Sequence, residues 1–185
     1  MDLTSLERIE GPNLVLRLAR PEDAAYIHGL RMNPAYNQHL SQVSGSVEDQ
    51  RRWIEGYKAR EAAGTEFYYV IERKDGQPCG LVRLYDITER TFTWGSWILD
   101  ENKPHKAALE SALLSFSVGF EVLGCELAHV DVRCENHHAE AFYRRLGMEE
   151  THRTTQDIYF LYDRARLRRD RDELLNALTN EEPAR

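Results

Sequence analysis

The segment Glu135-Asn136-His137-His138-Ala139-Glu140-Ala141-Phe142-Tyr143-Arg144-Arg145-Leu146-Gly147-Met148 constrains this chain more than any other. It follows an alternating strand, Leu127 to Val132, and places Ala139, Phe142, Tyr143 and Leu146 on one helical face. It stops at a glycine followed by an apolar residue, as helices closed by a left-handed residue do. Asn136 and Tyr143 lie seven residues apart. Two helical turns bring them to roughly the same side, so a cap at the helix start and a phenol two turns later can address one ligand. Read alone, the segment equally describes an amphipathic helix with a tyrosine packed in the core.

Its neighbours narrow the choice. From Trp94 the order is strand (Trp94 to Leu99), polar turn (Asp100 to Lys103), long helix (Pro104 to Leu123), Gly124, strand, and then the helix above. The pattern N-x-x-A-x-x-x-Y-x-x-x-G-[FM] resembles the last signature segment of the GNAT superfamily of N-acetyltransferases. The element order, and the phrase Gly119-Phe120-Glu121-Val122-Leu123-Gly124 closing the long helix, resemble that family's cofactor half. The resemblance extends over about Gly11 to Tyr162 and is strongest after Phe92. It implies an α/β fold: a mixed, mostly antiparallel sheet flanked by helices, with a V-shaped splay between the fourth and fifth strands. The acetyltransferase domain would span residues 1–162, and 163–185 would be a charged C-terminal helix and tail.

Composition agrees with one domain. A chain of 185 residues with 42% apolar content can bury one good core and hardly needs two. A net charge of -7 argues against a general nucleic-acid or anionic-membrane binder. Met1 to Glu10 has no apolar run of signal-peptide length, and nothing approaches the ~18 apolar residues of a membrane span, so a cytoplasmic location is expected. Cys79, Cys125 and Cys134 form no C-x-x-C pair and the histidines no H-x-x-x-H spacing, so reduced thiols and no metal are expected.

Towards the start, Leu14 to Leu18 reads as a first strand. Arg20-Pro21-Glu22-Asp23 then opens a helix reaching about Arg31, which Asn33-Pro34 breaks. Ala35 to Gly45 reads as a loop, and Ser46 with Asp49 as a capping box for a helix to about Ala63. Glu66 to Glu72 and Cys79 to Tyr85 flank a hairpin turn at Asp75-Gly76, a third antiparallel strand runs from Phe92 to Leu99, and Glu149 to Arg153 with Asp157 to Tyr162 make a closing hairpin. Beyond Asp163 a thin stripe of Leu167, Leu174, Leu175 and Leu178 suggests a solvated helix lying against the domain or against a second copy in a homodimer, with a frayed tail from Glu181 to Arg185.

Acetyl transfer from acetyl-CoA to an amine, the activity the resemblance implies, needs a pyrophosphate cradle, donors for the thioester oxygen, a neutral amine, and a proton for the departing thiolate. Family members usually carry [RQ]-x-x-G-x-[GA] at the turn into the long helix, where small residues let backbone amides and the helix dipole approach the phosphates. Here the aligned residues are Lys103-Pro104-His105-Lys106-Ala107-Ala108. A lysine stands at the usual glycine and only Ala108 fits the final small position. Lys103, His105 and Lys106 could replace backbone contacts by charge, or form a solvated basic first turn. By resemblance, pantetheine lies beside the Trp94 to Leu99 strand near the backbone of Ile98, Leu99 and Asp100, and Asn136 and Tyr143 complete the cofactor contacts.

Tyr143 matches the position at which many family members place a general acid. A phenol of ordinary pKa about 10 can protonate a thiolate without itself being ionised at neutral pH; the competing role is packing. For the base, Asp86 and Glu101 stand at strand ends on the expected cleft side and His39 stands in the acceptor loop, with a water chain as the alternative. The resemblance implies an acceptor site between the Ala35 to Gly45 loop, with Tyr36, His39, Ser41 and Ser44, and the Asp86 to Thr91 connection, with Thr88. Trp94 and Trp97 could stack a sugar, but an odd-spaced pair on a regular strand faces opposite ways, and Trp94 is the choice. The chain is similar to bacterial small-molecule, amino-sugar and ribosomal-protein branches. The first-choice acceptor is a nucleotide-linked amino sugar of surface-polysaccharide synthesis. The alternatives are a protein N-terminus and a non-catalytic acyl-CoA-binding module.

Overall fold

The computed structural model of the chain describes residues 6–40 and 43–179. Ser41, the first five residues and the tail from 180 lie outside that range. Strands β1 (Arg8–Glu10) and β2 (Leu14–Leu18) lead through a 3-10 turn, Pro21–Asp23, into α1 (Ala24–Met32), the short α2 (Pro34–Asn37) and α3 (Val47–Ala62). The meander β3 (Phe67–Arg73), β4 (Pro78–Tyr85) and β5 (Thr91–Leu99) follows. Next come α4 (Ala107–Ser117), a π-helical turn (Val118–Val122), β6 (Leu127–Arg133), α5 (His137–Arg145), the hairpin β7 (Glu149–Arg153) and β8 (Asp157–Asp163), and α6 (Arg164–Thr179). One eight-stranded sheet runs in the order β1-β2-β3-β4-β5-β6-β8-β7. Every pairing is antiparallel except β5 with β6.

Most element boundaries fall where sequence pattern puts them, and for the anticipated reasons. Ser46 and Asp49 form the reciprocal capping box that starts α3. Gly76, at φ +83, turns the β3–β4 hairpin. Strand β1 is an addition: Arg-Ile-Glu is too short and polar to announce itself, and pairing with β2 makes it a strand. Asn33 caps α2 through Ala35 N–H (2.9 Å), so the loop expected after Pro34 begins with one helical turn.

The sheet separates two apolar layers. On one face Ile27, Leu30, Ile54 and Tyr57 of α1 and α3 cover Tyr68, Val70, Leu81 and Ile98. On the other, Leu113 and Phe116 of α4 and Phe142 and Leu146 of α5 join Leu16, Val82, Leu84, Phe92, Trp94, Ala128, Val130 and Phe160. A Cβ at Gly119 would stand 2.2 Å from the Phe92 ring, so only glycine lets the end of the long helical segment lie this close to β5. Helix α6 buries Leu167 and Leu178 in the same layer, and Arg168 pairs with Glu121.

Two departures position the site. Strands β5 and β6 are in register only at Thr91–Thr93 and Leu127–His129, after which they part. With β1 counted, this is the expected splay between the fourth and fifth strands of the sequence reading. Second, the long helix begins at Ala107 and not at Pro104. Lys106 stands before it in the left-handed region (φ 61), where no helix can propagate, so Lys103, Pro104 and His105 form a turn and not a first helical turn.

Candidate active site

The splay opens into a cavity of about 260 Å³. Tyr85 of β4 and Gly95, Ser96 and Trp97 of β5 form one wall. Asp131, Val132 and Arg133 of β6, Asn136, Ala139 and Tyr143 of α5, and Asp157 of β8 form the other, with His39 and Leu40 at its edge.

Helix α5 is anchored at its start, where Asn136 Oδ1 accepts from Ala139 N–H (3.1 Å). Two turns on, Tyr143 is held edge-on to Trp94 and to Phe160, each with ring centroids 5.9 Å apart. Burial, and then the nearby Asp131 carboxylate, raise the Tyr143 pKa above that of a free phenol, so its proton stays in place at neutral pH. Asp131, on the exposed face of β6, opens onto the cavity. Desolvation in the cleft wall first, and the Asp157 carboxylate second, raise its pKa above the usual aspartate value, against the lowering pull of Arg133. Arg133 bridges to Asp157 at 3.2 Å.

Strand β5 carries a bulge where it leaves β6. Leu81 faces Ile98 and Arg83 faces Gly95, so β5 holds one more residue than β4 across this interval, and Ser96 takes φ +49. A bulge leaves its extra residue outside the ladder. Ser96 and Trp97 have no register partner on β4, and β6 has already diverged, so their backbone groups stand beside the cavity without a ladder role.

The bulge also overturns the strand parity assumed for the tryptophans. Trp94 and Trp97 touch, with centroids 5.2 Å apart, instead of facing opposite ways. Trp94 is 1% exposed, stacks on Phe116 at 4.8 Å and donates to Ser115 Oγ (2.8 Å). It is a core residue, and the ring in the cavity wall is Trp97. Ile98 and Leu99 pair with Leu81 and Gly80, and Asp100 N–H donates to Cys79 O (2.9 Å). By alternation, Ile98 turns its backbone the same way and Leu99 the other way, towards the splay. The Asp100 carboxylate is structural: it accepts from Tyr26 Oη (2.8 Å) and Asn102 N–H (2.7 Å).

The two carboxylates expected as bases lie elsewhere. Asp86 is exposed at the end of β4 with φ 49, outside the cavity lining, because the strand already ends there in a turn. Glu101 borders a separate shallow pocket with Tyr26, Tyr36 and Asp100. That places Tyr36 away from Tyr143, whereas His39 reaches the cavity edge. The carboxylates that line the cavity are Asp131 and Asp157. Ala128, Val130 and Val132 of β6 are buried, so alternation turns His129, Asp131 and Arg133 to the opposite face, a signal present in the sequence.

No side chain caps α4. Small Ala107 and Ala108 follow Lys106, and Lys103 and His105 are exposed without an ion pair to another described residue. A left-handed residue before an uncapped helix, flanked by small residues and cations, fits the pyrophosphate of a coenzyme. Lys106 itself is turned away: its Nζ donates to Ala177 O of α6 (2.6 Å), so its side chain is committed to the C-terminal helix instead of pointing at the cradle.

A splayed sheet, a bulged strand, a phenol in the cleft and an uncapped helix start define an acyl-transferase built around a CoA thioester. A family model described as an acetyltransferase (GNAT) domain matches residues 13–149. A solved structure described as apo FdhC, a nucleotide-linked sugar GNAT, is 36% identical over 91% of this chain and 96% of its own, with TM-score 0.84. Spermidine N-acetyltransferase from Vibrio cholerae, in complex with CoA and spermine, is 20% identical over 84% of this chain and 98% of its own, with TM-score 0.72. The ribosomal L7/L12 alpha-N-protein acetyltransferase RimL is 18% identical over 85% and 94%, also at 0.72. No functionally curated protein matches the chain in sequence. The chain belongs to the GNAT acetyltransferase family, and it is an acetyl-CoA-dependent N-acetyltransferase. Among the described residues no helix is long and apolar enough to cross a membrane, and no cluster of three metal-ligating side chains occurs.

Proposed function

We propose that the enzyme acetylates the amine of a nucleotide-linked amino sugar, in the cytoplasm. The observation that carries this reading is the 36% identity, over nearly the whole chain, to a nucleotide-linked sugar GNAT. The cleft chemistry supports it. Polar groups of Tyr85, Ser96, Asp131 and His39 beside the Trp97 ring suit sugar hydroxyls above an apolar ring face.

Acetyl-CoA supplies the acetyl carbon as an activated thioester. Asp131, and not Asp86 or Glu101, which lie outside the cavity, takes a proton from the incoming amine, directly or through one water. The amine nitrogen then forms its bond to the acetyl carbon while the carbon–sulfur bond breaks. Backbone amides at the Ser96–Trp97 bulge face the oxygen that gains charge, an interaction worth ~3 kcal/mol when well aimed. Tyr143 hands its phenolic proton to the departing sulfur. Asn136 fixes the start of the helix that carries Tyr143. Lys103, His105 and the uncapped start of α4 at Ala108 hold the pyrophosphate.

The test is a panel of UDP- and dTDP-linked amino sugars, polyamines and N-terminal peptides, followed by thiol release and product mass. Turnover of at least one nucleotide-linked amino sugar well above every polyamine and peptide is expected. Turnover of peptides or polyamines alone would overturn the assignment.

A further inference from the structure

A second cavity, of about 410 Å³, lies between α1, α3 and β4, on the α1/α3 side of the sheet. In an acidic chain its lining is unusual. Arg31 and Arg83 enter it beside Trp53, Ser44 and Ser46, and the one acid among its lining residues, Asp49, is engaged with Ser46 in the α3 capping box. Arg83 Nε and Arg60 Nε each bond the same buried carboxylate, Glu66, at 2.6 Å, so two cations share one counter-charge. Both guanidiniums lie 5.3 Å from the Trp53 ring centroid.

This cavity is joined to the reaction cleft by two chain segments. Arg83 and Tyr85 are two apart on β4, hence on one face and ~7 Å apart along it. The Arg83 guanidinium stands 4.6 Å over the Tyr85 ring that lines the cleft. The loop whose His39 and Leu40 edge the cleft continues to Val43 and Ser44 in the second cavity. A substrate with its amine between Tyr143 and Asp131 and its sugar on Tyr85 therefore meets a cationic seat next along the strand.

We propose that this cavity is the nucleoside diphosphate subsite of the acceptor: Arg83 and Arg31 hold the diphosphate, the Ser44 hydroxyl donates to it, and the nucleoside lies along the Trp53 side. This rests on the acceptor class proposed above. Planar guanidinium forks suit paired phosphate oxygens, and a diphosphate joined to a sugar has the length to reach from one cavity to the other.

The test titrates the intact protein with dTDP and UDP by calorimetry in the presence of saturating coenzyme A, which blocks the cradle at α4. One-site binding is expected. It should weaken at least tenfold in Arg83→Gln and in Ser44→Glu, and change less than twofold in Lys103→Ala. Ser44 is exposed, so Ser44→Glu tests the charge of the seat without depending on how the Glu66 pair tolerates loss of Arg83. The KM for a nucleotide-linked amino sugar should rise in parallel. Acetylation of such sugars with dTDP affinity and KM unchanged in both variants would overturn the subsite and leave the acceptor class standing. Binding of dTDP that both variants weaken, with every nucleotide-linked amino sugar inert, would support the seat and overturn the acceptor class. Absence of dTDP and UDP binding would overturn the subsite.

Discussion

Helices α4 and α5 each follow a strand that borders the splay, β5 and β6, yet their first turns are built in opposite ways. Helix α5 engages an amide of its own first turn: Asn136 accepts from Ala139 N–H, and the capped end fixes a platform for Tyr143. Helix α4 leaves its start open, with no side-chain cap and a left-handed residue before it. A capped start gives rigidity and gives up anion affinity; an open start keeps its amides for a ligand and relies on that ligand, or on neighbouring elements, to hold it. In the proposed function the two helices divide the work between a proton-delivering side chain and a phosphate-binding backbone.

The largest effect should come from the capped helix. Tyr143→Phe keeps the ring contacts with Trp94 and Phe160 and removes only the hydroxyl. Stability and coenzyme A affinity should hardly change, while acetyl transfer falls by roughly 10- to 1000-fold, about 1.4 to 4 kcal/mol of transition-state stabilisation. Single-turnover kinetics measure it. An unchanged chemical step would return Tyr143 to a packing role and break the division between the helices.

Next comes the open helix. The left-handed backbone at Lys106 occurs where family members place glycine, so the conformation has been kept and the residue suited to it has not. Lys106→Ala and Lys106→Gly both remove the contact to Ala177, and the difference between them isolates the backbone. The glycine variant should be about 1 kcal/mol more stable than the alanine variant by chemical denaturation. Equal stability would mean that the cradle does not hold the left-handed turn in solution.

How far the sequence foretold these features follows the kind of signal each one has. The α5 start, the α3 capping box, the β3–β4 turn and the strand–helix order after Trp94 are local patterns, and local patterns can be read along the chain. The α4 start was misplaced because Pro104 suits a first helical turn in isolation, and only the φ of Lys106 shows that the helix begins three residues later. The faces of Trp94 and Trp97 are not legible along the chain, because one inserted residue at Ser96 reverses strand parity, and a bulge depends on the partner strand. Alternation along β6 turns Asp131 away from the core, but the sequence alone does not distinguish it from the strand-end carboxylates. What makes it notable, Tyr143 and Asp157 beside it, comes from α5 and β8 and has no trace in its own segment.

A smaller effect tests the cations at the open start. Lys103→Ala removes an exposed charge near a helix N-terminus, where a single interaction is worth roughly 0.3–1 kcal/mol. Coenzyme A affinity should fall up to about fivefold, more at low ionic strength, while pantetheine affinity stays the same. Equal losses for both ligands would remove Lys103 from the phosphate site.

The smallest expected effect concerns the wall facing α5. Asp157 raises the Asp131 pKa by like charge and also pairs with Arg133. Asp157→Asn removes the repulsion and leaves Arg133 beside Asp131, so both changes favour the Asp131 carboxylate and its pKa should fall. The sign for catalysis follows: a base must be deprotonated, so the acid-side break in kcat, with acceptor saturating, should move to lower pH. The stability sign is separate. A carboxyl whose folded pKa is raised contributes stability below its unfolded pKa and loses it as pH rises through the folded pKa; in Asp157→Asn that loss should shrink. Carboxyl NMR of Asp131 gives the midpoint directly. A midpoint that falls while the acid-side break stays fixed would deny Asp131 the role of base and leave proton removal from the amine to water, with Tyr143 on α5 still supplying the sulfur.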